Sequence, residues 1–391
     1  MNILDYVRKY SLEIPNKVAV VHDGQSLTYA ELYEKMRDRE PLPLPLLGEG
    51  WDKPFILHTT GSTGKPKHVI ISQGAVIANS ENLIEAHGYT SETVFVVAGA
   101  LDHLGSWSKF FPVLMLGGTL IILDNMKDIG AFFQALDYPS QHLATFLVAS
   151  NIRILLQFSS EELASFADKI DFLETGGAPM PHSDMLLLCK LLPQTRLFNT
   201  YASTETGIIC TYNYNDGQCI PMCTGRPMKH SNVFITEEGL IACQGPTLMD
   251  GYGNDAELTR EVLREGTFYT KDRGRIDEQG RLHILGRIDD IINVGGLKVA
   301  PNEVEEVALA LPEVKDCICI SVPHKILGSA LKLLLVLAEG QVLDKKNIAK
   351  QIGCKLDSYK VPLYYEAVSE IAKTANGKLN RKYYKVISIN T

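Results

Sequence analysis

With 391 residues, the chain is long enough for two or three domains at about 150 residues each. Its composition is 45% hydrophobic and 21% charged, which excludes a disordered or collagen-like chain. The net charge is −8 at pH 7 with no cluster of basic residues, so a phosphate-tracking nucleic-acid surface is excluded too.

The longest uncharged apolar stretch, Phe110 to Leu123, is broken by Pro112, Gly117 and Gly118 and falls short of the roughly 18 residues a membrane span needs. It reads as core, and no membrane span is expected. The start, Met1-Asn-Ile-Leu-Asp-Tyr-Val-Arg-Lys, has an early acid and no apolar leader, so a cytoplasmic protein is expected. The 8 cysteines contain no Cys-x-x-Cys pair and read as reduced, buried thiols. Convergence of Cys210, Cys219, Cys223 and Cys243 on zinc fits no common ligand spacing.

In chain order, residues 1–40 hold a short amphipathic start and Leu27-Thr-Tyr-Ala-Glu-Leu-Tyr. Pro41-Leu-Pro-Leu-Pro-Leu-Leu-Gly-Glu-Gly follows as an extended connector. Strand candidates then alternate with helical patterns: Phe55-Ile-Leu, Val69-Ile-Ile, Val94-Phe-Val-Val, Thr119-Leu-Ile-Ile-Leu, Ala144-Thr-Phe-Leu-Val, Phe172-Leu and Arg196-Leu-Phe. That alternation predicts a layered α/β domain. Ser72 is the expected N-cap of a helix that presents Val76, Ile77, Leu83 and Ile84 and stops at Gly88. Near Gly286 to Asp290 the pattern changes and a domain boundary is expected. Asn302-Glu-Val-Glu reads as a capping box opening a helix through Val304, Val307 and Leu311. The strands Cys317-Ile-Cys-Ile-Ser-Val and Leu333-Leu-Leu-Val-Leu, then a polar helix from about Asp344, complete a small α+β unit of about 100 residues.

Thr59-Thr60-Gly61-Ser62-Thr63-Gly64-Lys65-Pro66-Lys67 concentrates hydroxyls, glycines and lysines. Glycines let backbone N–H groups converge on an anion, hydroxyls add donors, and lysine adds charge, so the loop is suited to phosphate. It is not the common P-loop, because Pro66 follows Lys65 where a helix would have to begin.

This loop resembles the phosphate loop of the adenylate-forming superfamily of acyl-CoA synthetases, peptide-synthetase adenylation domains and luciferases. The resemblance continues in order through Gly176-Gly-Ala-Pro-Met, Tyr201-Ala-Ser-Thr-Glu-Thr, Tyr269-Thr-Lys-Asp-Arg-Gly, Gly286-Arg-Ile-Asp-Asp-Ile-Ile-Asn-Val-Gly-Gly and Lys373-Thr-Ala-Asn-Gly-Lys. It implies an AMP-binding domain over 1–286, shortened near residues 40–55, and a small mobile C-terminal domain over 287–391. The implied reaction joins a carboxylic acid to a thiol: MgATP converts the acid to acyl-AMP, and coenzyme A then takes the acyl group. A carrier protein as acceptor, or a non-catalytic nucleotide-binding relative, are the alternatives.

The resemblance also implies roles. Thr59, Thr60, Gly61, Ser62, Thr63, Gly64, Lys65 and Lys67 would hold phosphate, and Gly176, Gly177 and Ala178 would let backbone approach the nucleotide and acyl group. Glu205 would bind Mg²⁺ through a hard carboxylate oxygen, with Thr204 donating to phosphate. Asp272 and Arg287 would bind the ribose hydroxyls, and Tyr201 would stack on adenine, although core packing accounts for a tyrosine there equally well. Lys378 would neutralise charge at the carboxylate and α-phosphate, Asp289 would be the hinge, and Gly295 and Gly296 would line the thiol's approach. His103 matches a position near the acid and the thiol tunnel and favours a plain carboxylic acid, the alternative being a structural histidine. Trp107 lines the acyl pocket or packs in the core.

Several departures stand out. Relatives carry a much longer segment before the phosphate loop, so a layer of the N-terminal subdomain is missing here, and an exposed sheet or helix face is expected to meet a partner or self-associate. Asn293 replaces a frequent Lys, and Lys271 a frequent Gly.

Overall fold

The structure is a computed structural model that describes residues 2–40, 53–60, 66–374, 379–381 and 383–384. Its centre is built from short apolar runs. Val94–Val97, Thr119–Ile122 and Leu143–Phe146 are buried at every position, as strands covered on both faces must be. Alternation then assigns the faces: Phe95 and Val97 join one core, Val94 and Val96 the other.

Among the described residues these strands lie in a 14-stranded sheet. Its order runs Gln25–Thr28, Val18–His22, Thr119–Ile122, Val94–Val97, Leu143–Phe146, Ile170–Gly176 and Arg196–Ser203. All pairings from Val18–His22 to Arg196–Ser203 are parallel. The sheet then turns antiparallel through Gly207–Asn213, Cys223–Pro227, Leu282–Arg287, Thr267–Ile276, Leu240–Gln244 and Asn232–Ile235. The expected strand at Ala144-Thr-Phe-Leu-Val is shifted, since Val148 is the N-cap of the helix Ala149–Phe158.

Residues 2–40 fold onto the far edge of this sheet. Capping boxes start both of their helices, Asn2 with Asp5 and Thr28 with Glu31, and the buried Tyr29 hydroxyl donates to the Gly118 carbonyl at 2.7 Å. A separate small sheet pairs Phe55–Thr60 with Pro66–Ile71 and the latter with Gly251–Tyr252. Among the described residues Phe55–Thr60 is an edge strand, and Ile56 is 47% exposed on it. The helix Gln73–His87 follows, with Ser72 Oγ accepting from Ala75 N and Gly88 closing it at φ +66°, as the sequence predicts.

Beyond Gly286 a smaller unit has its own core of Val304, Cys317, Leu333 and Ile348 around the strands Val314–His324, Gly328–Leu337 and Tyr364–Ala367. Asp344 caps the helix Lys345–Gly353 as expected. The capping box at Asn302 is corrected: the helix is Pro301–Leu309, its N-cap is Ala300, and no side chain caps it. Proline at the first helical position has the helical φ preset and no N–H to satisfy, so the start needs no polar cap. The thiols are less uniformly buried than expected, with Cys354 exposed and Cys189 half-buried.

Candidate active site

Neighbouring parallel strands end on one side of the sheet, where open α/β folds place their ligands. Gly176 ends its strand there, Tyr201 and Ser203 lie at the end of the next, and the segment after Val97 brings His103 to the same side.

Tyr201 is buried, and its hydroxyl donates to Asp272 Oδ2 at 2.6 Å. Burial and the Asp272 carboxylate hold the phenol well above its usual pKa. Asp272 faces Arg287 across an antiparallel pair, and the guanidinium donates to Asp272 Oδ1 at 3.0 Å. Arg287 also lies 3.6 Å from Asp289 Oδ2, and Lys271, one of the departures, reaches the same oxygen at 3.5 Å. The structure thus brings Tyr201, Asp272, Arg287 and Asp289 into one chain of contacts. Tyr201 belongs at the same time to the large core cluster.

Glu205 sits in the tight turn between Arg196–Ser203 and Gly207–Asn213. Reciprocal bonds between Ser203 and Thr206 close this turn around Thr204, and Gly207 leaves it at φ +70°. The Tyr252 hydroxyl donates to Glu205 Oε1 at 2.8 Å, and Lys67 Nζ lies 3.5 Å from that hydroxyl and 4.8 Å from the ring centre. Lys67 and Thr59 face one another across the antiparallel pair Phe55–Thr60/Pro66–Ile71. Gly61, Ser62, Thr63, Gly64 and Lys65 lie outside the described residues, and for Thr60 only the backbone pairing with Pro66 is described. A carboxylate linked through Tyr252 to a lysine is a donor set that suits Mg²⁺ with a polyphosphate.

Gly176 has no room for a side chain: a Cβ there would lie 2.6 Å from Thr200 Oγ1 and 3.1 Å from the Thr200 carbonyl. Gly177 adopts φ +78°, and Ala178 is half-buried. His103 has a structural task, because it is the N-cap of the short helix Leu104–Trp107 and its Nδ1 accepts from Gly105 N at 3.2 Å. An accepting Nδ1 leaves the proton of the neutral ring on Nε2. Trp107 is 2% exposed and packs edge-on to Phe55 and Phe111, so it is a core residue.

In the smaller unit, Gly295 and Gly296 form the turn of the hairpin Ile292–Val294/Leu297–Val299 at φ +59° and +93°. Asn293 Oδ1 accepts from Gly296 N at 2.8 Å and so fixes that turn. Lys378 lies outside the described residues; on either side of it Lys373 and Leu379 pair as an isolated bridge, and Lys373 lies 3.0 Å from Asp316. Asp316 also meets Arg153 at 3.0 Å, and Arg153 bonds Asp184 at 3.1 Å. Nearby, Glu306 accepts from His182 N at 3.1 Å, and burial raises its carboxyl pKa.

Several residues here escape sequence reasoning. Asn79 Oδ1 accepts from Ile208 N at 2.8 Å, and Asn82 Nδ2 donates to the Ile208 carbonyl at 3.3 Å, so the inner face of Gln73–His87 holds the Glu205 hairpin from behind. Tyr252, which orients Glu205, gives no local signal. Lys109 does give one, as a lone charge within a long apolar run.

Residues 45–253 match the AMP-binding enzyme family, and residues 303–378 match the AMP-binding enzyme C-terminal domain. The feruloyl-CoA synthase of an Amycolatopsis species is 29% identical over 359 residues, covering 88% of this chain and 71% of that protein. The indoleacetate–CoA ligase of Aromatoleum aromaticum is 26% identical, covering 91% and 71%. Among solved structures, ATP-bound MatB from Rhodopseudomonas palustris superimposes with a TM-score of 0.79 at 24% identity, covering 94% of this chain and 74% of that one. The o-succinylbenzoate CoA synthetase of Bacillus subtilis with its acyl-adenylate gives 0.82 at 18% identity, covering 97% of each chain. These structures share the fold, a large sheet domain followed by a small C-terminal one.

Proposed function

Because the chain belongs to the AMP-binding enzyme family, we propose that it is an AMP-forming acid–CoA ligase. The observation that carries the proposal is that two contact lines, Lys67–Tyr252–Glu205 and Arg287–Asp272–Tyr201, meet at the end of one strand. One line suits the phosphates of ATP and the other its nucleoside. The CoA ligases among the relatives support coenzyme A as the acceptor and a fatty or aryl acid as the substrate.

In the first half-reaction a carboxylate oxygen of the acid attacks the α-phosphorus of ATP, and the bond to pyrophosphate breaks. Lys67 and the loop hydroxyls hold the phosphates, Asp272 accepts from the ribose hydroxyls, Arg287 donates to them, and Tyr201 packs against the adenine. Mg²⁺, held by Glu205, would neutralise charge on the phosphate oxygens. Lys378 adds a positive charge beside the carboxylate and α-phosphate. In the second half-reaction the CoA sulfur attacks the acyl carbon past Gly295 and Gly296, the bond to AMP breaks, and the thiol proton is lost.

We assign the adenylating domain to 1–286 and the small domain to 287–391, with Asp289 as the hinge; the separate core around Val304 and Leu333 supports this division. Ile56, exposed on Phe55–Thr60, which is an edge strand among the described residues, supports self-association, which sedimentation would test. No helix among the described residues is long and apolar enough to cross a membrane, and free cysteines suit a cytoplasmic setting.

The experiment is mass spectrometry of reactions with MgATP, CoA and a pooled panel of fatty and aryl acids. Acyl-CoA with AMP is expected. Acyl-AMP without acyl-CoA would move the acceptor to a carrier protein, and ATP binding without pyrophosphate release would reduce the chain to a nucleotide-binding relative.

A further inference from the structure

Three stretches of the proposed site are tied together underneath by a buried ion pair. Lys109 lies in the segment that follows His103, between the helices Leu104–Trp107 and Phe110–Leu116. It has no exposed surface, and its Nζ is 2.7 Å from Oε1 of the equally buried Glu174. Thr200 Oγ1 lies 3.1 Å from that same oxygen and 2.9 Å from the Thr175 carbonyl, so its single proton is shared between two acceptors. Glu174 stands two residues before Gly176, and Thr200 stands directly before Tyr201. The Thr200 hydroxyl is also the atom a Cβ on Gly176 would strike.

Apart from the Arg196 guanidinium, which donates to the His87 carbonyl at 2.6 Å, the described surroundings of the pair are apolar or neutral. Lys109 Nζ lies 5.3 Å from the centre of the Phe146 ring, which in turn packs against Gly105. His87 Nδ1 is 3.5 Å from Glu174 Oε2, and burial, with Lys109 and Arg196 nearby, keeps that imidazole far below its ordinary pKa and therefore uncharged. A buried ion pair is a poor source of stability, because desolvating two charges costs about what their attraction returns, and apolar residues of similar volume often serve as well. A fixed charge does, however, impose a geometry that apolar contacts do not.

We propose that Lys109 is a positioning residue which, through Glu174 and Thr200, sets the Gly176–Ala178 loop and Tyr201 in place relative to the His103 segment. The acid side and the adenosine side of the crevice are thereby held in register; this rests on the adenylating reading given above.

The test is the double variant Lys109→Met/Glu174→Gln in the 391-residue chain, with Thr200→Val beside it. Neither leaves an unpaired buried charge, whereas Lys109→Met alone would. Each is measured for melting temperature, for AMP affinity by calorimetry, and for pyrophosphate release with an acid that the wild type activates. Near-native melting is expected, with AMP affinity lowered about tenfold. The kcat for adenylation should fall about a hundredfold, the usual cost of a misplacement of about 1 Å, while the KM for ATP rises no more than the AMP Kd does. Lowered melting with native AMP affinity and native kcat would make the pair purely structural and overturn the proposal. A wild type that binds AMP but activates no acid would sink the ligase reading alone, since AMP affinity still decides the role of Lys109. A wild type that binds no AMP would overturn both.

Discussion

Asp272 is the residue whose replacement separates folding from nucleotide binding most cleanly. Its carboxylate accepts from the Tyr201 hydroxyl at 2.6 Å and from Arg287 at 3.0 Å. Asp272→Asn keeps the shape and removes the charge. The Tyr201 bond is short, buried and charge-assisted, a class that contributes about 1.5–3 kcal/mol. The Arg287 side chain is 49% exposed, so its pair adds only about 0–1 kcal/mol. Together these predict a loss of about 1.5–4 kcal/mol, or about 3–16 °C in Tm at about 2–4 °C per kcal/mol. Ribose recognition should weaken separately, because an amide offers one oxygen where two hydroxyls need acceptors, and AMP affinity should drop about 10- to 100-fold. Tyr201→Phe is the companion: it keeps the ring, loses the same buried bond, and should lower Tm comparably with little change in AMP affinity. Differential scanning fluorimetry and calorimetry with AMP read the two effects. If Asp272→Asn binds AMP within twofold of the wild type, Asp272 only anchors Tyr201 and the assignment to ribose is wrong.

Tyr252→Phe removes the hydroxyl that orients Glu205; the Mg²⁺ concentration for half-maximal pyrophosphate release should rise about tenfold, and an unchanged value would detach Tyr252 from the site. Glu306→Gln tests the contact between the two units. Burial raises the Glu306 carboxyl pKa, so the folded chain holds this proton to higher pH than the unfolded chain does, and stability falls as pH rises from the unfolded pKa to the raised one. Glutamine abolishes that loss while its oxygen still accepts from His182 N, so Tm should rise by a degree or two, roughly, at pH 7.5 and match the wild type at pH 4. Lys378→Ala should lower adenylation about 100-fold or more and leave thioester formation from supplied acyl-AMP much less affected; equal losses in both would remove Lys378 from the first step.

What the sequence discloses and what it conceals divide along a physical line. Strands such as Val94–Val97 and Thr119–Ile122 are legible because complete burial demands uninterrupted apolar runs, and the helix Gln73–His87 because Ser72 and Gly88 mark its ends with their own chemistry. The antiparallel half of the sheet is not legible: its strands mix buried and exposed positions without strict alternation and are interrupted by bulges, so they do not separate from loops. Asn302 misleads because polar residues near a helix start resemble a cap, while Pro301 had already supplied the start. The site divides the same way. Glycines that act through the local backbone can be found by motif, as at Gly176 and Gly177, but Asn79, Asn82 and Tyr252 act through partners far along the chain and carry no local mark. Lys109 and Glu174 fall between these cases. A lone charge in an apolar run must be paired somewhere, since its desolvation is otherwise uncompensated, so Lys109 announces that it has a partner, whereas Glu174, with Asp171 and Thr175 near it in sequence, does not. Only the fold says that the two are partners of one another, and that Thr200 stands between them and the crevice.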